Sequence, residues 1–94
     1  MKTSERTGFA LDWAVAECEG GKWCSAYTPS TNWAQGGPII EREKIELEYG
    51  GPEWWACIKA DDDFSGPTPL IAAMRCYVAS VLGNEVEIPQ ELVT

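Results

Sequence analysis

The residues of this chain that could do chemistry are aromatic rings, amides, glycines and arginines rather than catalytic acids and bases. The sequence contains no histidine and no C-x-x-C pair, so it lacks the commonest general base and the usual zinc signatures. Aromatic faces, a glycine-loosened backbone, a helix N-terminus and arginine side chains together can bind a nucleotide. The residues that supply these parts here are Trp33, Gln35, Gly36, Arg42, Trp55, Thr68 and Arg75.

Each of these candidates also has a structural interpretation. The two tryptophans would stack on a base and the two arginines would pair with phosphate, but the rings could equally belong to the core. The glycines could form turns. The arginines could pair with nearby glutamates, namely Glu41, Glu43 and Glu46.

Catalysis and metal binding have weaker support in the sequence. The carboxylate pairs Glu41/Glu43 and Asp61/Asp63 are spaced as i, i+2 neighbours, which is common on exposed strands and loops. The run of three aspartates lacks the alternating spacing and closing glutamate of a calcium loop. We therefore expect no enzymatic activity, no metal site and no cofactor.

Composition indicates one acidic domain over residues 1–94. Fifteen acidic and seven scattered basic residues give a net charge of −8, which disfavours direct binding to DNA or RNA and suits either solubility or attraction to a basic partner. No apolar stretch approaches the roughly 20 residues that cross a membrane, so a cytoplasmic protein is expected. There the four cysteines should be thiols rather than disulfides.

The segment 68–82 is the strongest helix prediction. Thr68 can cap it, Pro69 suits its first position and Gly83 suits its end. An apolar stripe should make it the most buried element, with Ala72, Arg75, Ala79 and Ser80 off the stripe. The stripe consists of Leu70, Met74, Tyr77, Val78 and Val81, widened by Ile71 and Leu82.

A second helix is predicted over residues 7–19, and it ends before Gly20 and Gly21. Its buried face should hold Leu11, Ala14, Val15 and Cys18, while Asp12, Glu17 and Glu19 should lie outside that face.

Alternation of apolar and polar residues over 44–49 and 54–60 predicts an antiparallel hairpin. Trp54 and Trp55 point to opposite faces of the second strand. Trp55 shares its side with Lys59, so we expect its ring to lie outside the main core. Helices 7–19 and 68–82 packed on this small antiparallel sheet make the fold α+β.

The remaining segments give weaker predictions. A short strand is expected over 22–28, a long irregular connection over 29–43 and a solvated acidic loop over 61–65. Trp33, inside the irregular connection, would either plug the core or face a partner. A short edge strand around Val86 and Ile88 would precede a tail, 89–94, that frays.

Three stretches of the sequence resemble a known phage family. The segments STNWAQGGPIIERE, GPTPLIAAMRCYVASVLGNEVEIP and TSERTGFALDWAVAECEGGKWC resemble the phage NinX family of small accessory proteins, and together they cover nearly the whole chain. The resemblance implies a bacteriophage or prophage protein that works in the bacterial cytoplasm. It implies no activity and no functional residues. The chain departs from the family pattern mainly between Cys24 and Ser30.

Two functions fit a small acidic phage protein without catalytic machinery. The first is sequestration of a small nucleotide-like immune signal of the host, as an anti-defence protein, by the seven residues named above. The alternative is an acidic module that docks on a host protein and inhibits it, with exposed tryptophans as its main contacts. In either case a homo-oligomer is expected, because such an assembly can cover spare aromatic residues.

Overall fold

The computed structural model describes residues 8–24, 26–58 and 63–83. Along the chain these residues form helices α1 (Gly8–Cys18) and α2 (Trp33–Glu43), strands β1 (Glu46–Gly50), β2 (Glu53–Cys57) and β3 (Asp63–Gly66), and helix α3 (Pro69–Leu82). The strands form one antiparallel sheet in the order β1-β2-β3. The α+β fold is confirmed, and it has one helix and one strand more than the two helices and the hairpin from which the fold class was predicted.

Helix α3 begins and ends where the sequence predicts. The Thr68 side chain accepts a hydrogen bond from the amide of Ile71 at 3.1 Å, and Pro69 occupies the first helical position. Gly83 closes the helix at φ 90°, a conformation that favours glycine, and its amide donates to the carbonyl of Ala79. Both ends of α3 therefore depend on local interactions.

The middle of α3 is buried on all sides, which corrects the single-stripe prediction. All residues from Ala72 to Val78 are buried, because α1 and α2 pack on α3 as well as the sheet. Arg75, predicted off the stripe, is among them. Val81 and Leu82, predicted inside it, are 50% and 37% exposed in the last turn. α3 is nevertheless the central element, as predicted.

Helix α2 replaces the irregular connection predicted over 29–43. The Asn32 side chain caps it by accepting from the amide of Ala34 at 2.9 Å, and Lys44 ends it in the left-handed conformation. Gly36, Gly37 and Pro38 lie within the helix although they resemble a turn signal. The prediction was wrong because capping and the packing of buried Ile39 outweigh the poor helix propensity of these residues.

The hairpin is confirmed, and β3 extends it. Trp55 of β2 pairs with Glu48 of β1 and with Ser65 of β3. The loop predicted over 61–65 was wrong for residues 63–65, since Phe64 pairs with Ala56 and packs on the core. Residues 59 and 60, at the end of the predicted second strand, lie outside the described residues, as do 61 and 62.

Two further predictions need correction. Residues 22–24 and 26–28 form no strand, and the segment turns where the amide of Tyr27 donates to the carbonyl of Cys24. Asp12, predicted outside the buried face of α1, is only 2% exposed because its carboxylate accepts the buried amide of Ser30 at 2.9 Å. The predicted edge strand at 86–88, the tail 89–94 and the start of the first helix at residue 7 lie outside the described residues.

Leu11, Ala14 and Val15 of α1 are buried as predicted and join the core beneath α3. No disulfide joins the cysteines, which are Cys18, Cys24, Cys57 and Cys76.

Candidate functional site

The face of the sheet that points away from α3 is acidic and surrounds one exposed tryptophan. The strand register places Glu46 and Asp63 opposite Cys57, and Glu48 opposite Trp55, so these five side chains share one face. We call this set the outer face.

The opposite face of the sheet packs on α3. A Cβ atom built on Gly66 would lie 2.8 Å from the amide nitrogen of Ala72, which shows how closely β3 and α3 approach there. Buried Ala56 also lies on this side. Among the described residues, the helices therefore pack on the inner face of the three-stranded sheet and leave the outer face uncovered.

A shallow concavity of about 670 Å³ lies on the outer face, lined by Glu46, Leu47, Glu48, Trp55, Cys57 and Asp63. The lining described here contains three carboxylates and no basic side chain. The Trp55 side chain is exposed, at 42%, which confirms that its ring lies outside the main core. Chemically, this surface suits a cationic group that can also contact an aromatic ring.

Trp33, the other predicted stacking residue, does not plug the core. It is the first residue of α2 and is 54% exposed. A Cβ atom on Gly37 would lie 3.9 Å from Cε3 of Trp33, so the indole lies beside the helix one turn further on. Of the two interpretations of Trp33, the structure supports the exposed one.

Gln35 and Gly36 hold the segment that precedes α2. The Gln35 side chain accepts from the amide of Thr28 at 2.5 Å and donates from Nε2 to the carbonyl of Ala26 at 3.0 Å. Gly36 is buried, and a Cβ atom there would lie only 2.3 Å from the carbonyl oxygen of Pro29. Both residues thus have clear structural roles.

Arg42 is held by an intramolecular cluster at the C-terminal ends of α1 and α2. Its guanidinium donates to both carboxylate oxygens of Glu19, at 2.9 and 2.7 Å, to Glu43 at 2.7 Å and to the Tyr77 hydroxyl at 3.0 Å. The Tyr77 hydroxyl also donates to Glu19. Four of the five N–H groups of the guanidinium are used in this way.

Three residues of this cluster, Glu19, Arg42 and Tyr77, have shifted pKa values. The hydrogen bonds from Arg42, opposed by desolvation, lower the pKa of Glu19. The hydrogen bonds to Glu19 and Glu43 raise the pKa of Arg42. Burial, followed by the bond to Glu19, raises the pKa of Tyr77. These shifts favour the charged Arg42–Glu19 pair and the neutral Tyr77 phenol, which are the protonation states in which the hydrogen bonds of the cluster form. The cluster is therefore suited to stabilising the fold.

Arg75 and Thr68 both act within the fold. Arg75 is 8% exposed, and its Nη1 donates to the carbonyl oxygen of Ser65 in β3 at 2.7 Å. The pKa of Arg75 is lowered because burial disfavours its charged form, and the negative charge of Glu53 only partly opposes this effect. The Thr68 hydroxyl caps α3, as described above.

The seven predicted residues lie on at least two sides of the molecule. Trp55 is on the outer face, whereas Arg75 belongs to α3 on the other side of the sheet. Trp33 and Arg42 lie near opposite ends of α2, nine positions apart, which corresponds to about 13 Å along the helix axis. Binding of one nucleotide by all seven stays a prediction.

Four residues of the outer face were not predicted as site residues, namely Glu46, Glu48, Cys57 and Asp63. A signal for three of them was present. The alternation in KIELEY places Glu46 and Glu48 on one side, and that in EWWACIKA places Cys57 with Trp55. If the polar side of the first strand is placed on the same face as the Trp55 side of the second, Glu46, Glu48 and Cys57 lie together with Trp55. Asp63 had no such signal, because β3 was not predicted.

A family model described as Bacteriophage P22, NinX matches residues 2–81. The chain belongs to this phage family. The match includes every described element except the last residue of α3, so the NinX-family domain contains the outer face in full. No curated protein matches the chain.

The NinX match names a source but no ligand or reaction. Among the described residues, no helix is long and apolar enough to cross a membrane. Within the same residues, no group of three or more metal-ligating side chains is placed to hold a metal ion.

Proposed function

We propose that this NinX-family protein is a non-catalytic interaction protein of the infected host's cytoplasm. It docks through the outer face onto a lysine- and arginine-rich surface of a host protein and inhibits or redirects that protein. The observation that supports this proposal is the exposed Trp55 ring among the carboxylates of Glu46, Glu48 and Asp63.

The chemistry of the outer face fits a basic protein surface in two ways. An indole supplies a large, rigid contact area and attracts a cation over its ring, for about 0.5–2 kcal/mol per contact. The net charge of −8 attracts a basic partner at long range and raises the association rate. Affinity and steering thus favour the same class of partner.

Sequestration of a nucleotide-like immune signal is the second candidate. Both predicted stacking rings, Trp33 and Trp55, are exposed and could receive a base. The phosphates have less support, because the guanidinium of Arg42 is held by Glu19 and Glu43, and Arg75 is buried. The carboxylates around Trp55 would repel a phosphate nearby.

Calorimetry with charge-matched variants tests the proposal. The probe is an oligolysine peptide, titrated into wild-type protein, into Glu46→Gln/Glu48→Gln and into Glu17→Gln/Glu41→Gln. The two double variants have the same net charge, but Glu17 and Glu41 are exposed residues of α1 and α2. Loss of two favourable charge contacts should weaken binding by the outer-face variant about tenfold, and the helix variant should stay within about twofold of wild type.

Equal affinities of the two double variants would contradict docking through the outer face. The same calorimeter tests the second candidate with cyclic ADP-ribose isomers and cyclic dinucleotides. Tight binding of any of them, weakened by Trp33→Ala and Trp55→Ala, would favour sequestration instead.

A further inference from the structure

Gly50 is the last residue of β1, directly before the turn of the hairpin. Its φ is not positive, unlike that of Gly8, Gly20 and Gly83. Within a strand, glycine weakens the sheet by loss of side-chain packing and by its larger entropy in the unfolded chain. A side chain at this position would therefore be expected on the grounds of stability alone.

No crowding requires glycine here either. A Cβ atom on Gly50 would lie 3.4 Å from Cδ1 and 3.5 Å from Nε1 of Trp55, which is ordinary van der Waals contact. The site could thus accept alanine. The missing side chain changes the exposure of the Trp55 ring, because the Cδ1 and Nε1 atoms of that ring lie next to the position that a Cβ atom would occupy.

Glu48 lies two residues before Gly50 on the same face of β1. It is the direct cross-strand partner of Trp55, and such partners have Cβ atoms about 4.5–5.5 Å apart. A cation placed over the indole is therefore within reach of the Glu48 carboxylate. A large side chain at position 50 would occupy the approach to the same ring from the hairpin end.

We infer that Gly50 is a specificity-determining residue of the outer face. It leaves the Trp55 indole uncovered, so that the ammonium or guanidinium group of a partner's lysine or arginine can lie over the ring beside Glu48. This inference rests on the proposed docking function and names the side-chain class that the surface receives.

The test compares Gly50→Val with Gly50→Ala. Valine covers the ring edge and favours a strand conformation, so the variant should fold, and alanine only reaches contact distance. The probe is again an oligolysine peptide, and binding is followed by the indole N–H signal of Trp55 in a proton–nitrogen correlation spectrum, identified by its loss in Trp55→Phe. Thermal unfolding of each variant verifies that it folds.

Wild-type protein should shift the Trp55 indole signal on titration. Gly50→Val should bind about fivefold more weakly, as expected when one cation–aromatic contact is lost, and should shift the free Trp55 signal. Gly50→Ala should bind within about twofold of wild type. Trp55→Leu, which keeps an apolar side chain without the ring, should match Gly50→Val.

The failures of the two proposals differ. If Gly50→Val or Trp55→Leu binds like wild type while Glu46→Gln/Glu48→Gln is weakened, the role of Gly50 is refuted and docking stands. If wild-type protein binds with no change in the Trp55 signal and the outer-face carboxylates do not matter, docking itself fails and the inference fails with it.

Discussion

Gly36→Ala should destabilise the protein although alanine is the better helix former. Gly36 lies in α2 where the helix meets the segment before it. An alanine Cβ would lie 2.3 Å from the carbonyl oxygen of Pro29 and 2.7 Å from Cδ2 of Leu70. The Leu70 methyl can move by rotation, but the Pro29 oxygen is backbone, so α2 or residues 26–32 must shift.

The expected loss follows from two opposing effects. Relief of the clash needs a backbone shift of roughly 1 Å, and overpacking of this kind costs up to about 3 kcal/mol. Replacing glycine by alanine inside a helix raises the free energy of unfolding by about 1 kcal/mol. The free energy of unfolding should therefore fall by about 2 kcal/mol, which lowers the melting temperature on the order of 10 °C for a domain of this size.

Gly37→Ala is the matched control, one residue further along the same helix. Its Cβ would meet only Cε3 of Trp33, at 3.9 Å. The gain in helix propensity is partly offset because Pro38 follows and disfavours the helical conformation of a residue that carries a Cβ atom. The variant should stay within about 1 kcal/mol of wild type.

Urea unfolding of the three proteins, followed by circular dichroism at equal protein concentration, measures the difference. If Gly36→Ala were as stable as wild type, or more stable than Gly37→Ala, the close packing of Gly36 on Pro29 would be refuted.

Three further predictions concern buried and charged side chains. Met74→Asp should abolish the cooperative unfolding transition, because it places an unpaired charge at a fully buried position. The control is Val81→Asp, at a half-exposed position of the same helix, which should unfold cooperatively near the wild-type temperature. Asp12→Ala should lower the free energy of unfolding by about 1–3 kcal/mol, because a buried hydrogen-bond acceptor is lost. Asp12→Asn keeps an acceptor and should lower the free energy of unfolding by less. Denaturant titrations of both variants measure this, and the reverse order of stability would disprove it. Arg42→Ala should cost about 1 kcal/mol above pH 4.5, where Glu19 is ionised in both the folded and the unfolded protein. The difference from wild type should shrink as the pH falls through the lowered pKa of Glu19, because the ion pair needs the ionised carboxylate. A difference that does not change with pH in unfolding titrations would contradict the role of this pair.

The elements that the sequence predicts correctly depend on local signals. Thr68, Pro69 and Gly83 mark α3 within its own segment, and strict alternation marks the hairpin. Helix α2 could not be recognised in this way. The glycine pair at 36 and 37 is a turn signal in isolation, and only the contact of Gly36 with Pro29, seen in three dimensions, explains why a glycine is needed inside a helix.

The candidate site shows the same limit. The exposure of Trp55 follows from the alternation of the second strand, which places Trp55 on the same side as Lys59. The role of Arg42 does not follow from the sequence, because its partner Glu19 lies 23 residues earlier in the chain and reaches it only when α1 and α2 both pack on α3. Asp12 looked like a surface residue for a similar reason, since the amide that it accepts belongs to a segment 18 residues away.

Site-specific photocrosslinking in infected bacteria can detect docking through the outer face in the cell. A photoreactive amino acid replaces Glu46 on the outer face or, as the control, exposed Glu41 on α2. Both changes remove one carboxylate, so the net charge of the two proteins is the same. We expect a covalent adduct of the position-46 protein with one host protein, joined at a lysine- or arginine-rich segment, and no such adduct from position 41. Adducts of equal yield from both positions, or a crosslinked segment without basic residues, would refute docking through the outer face.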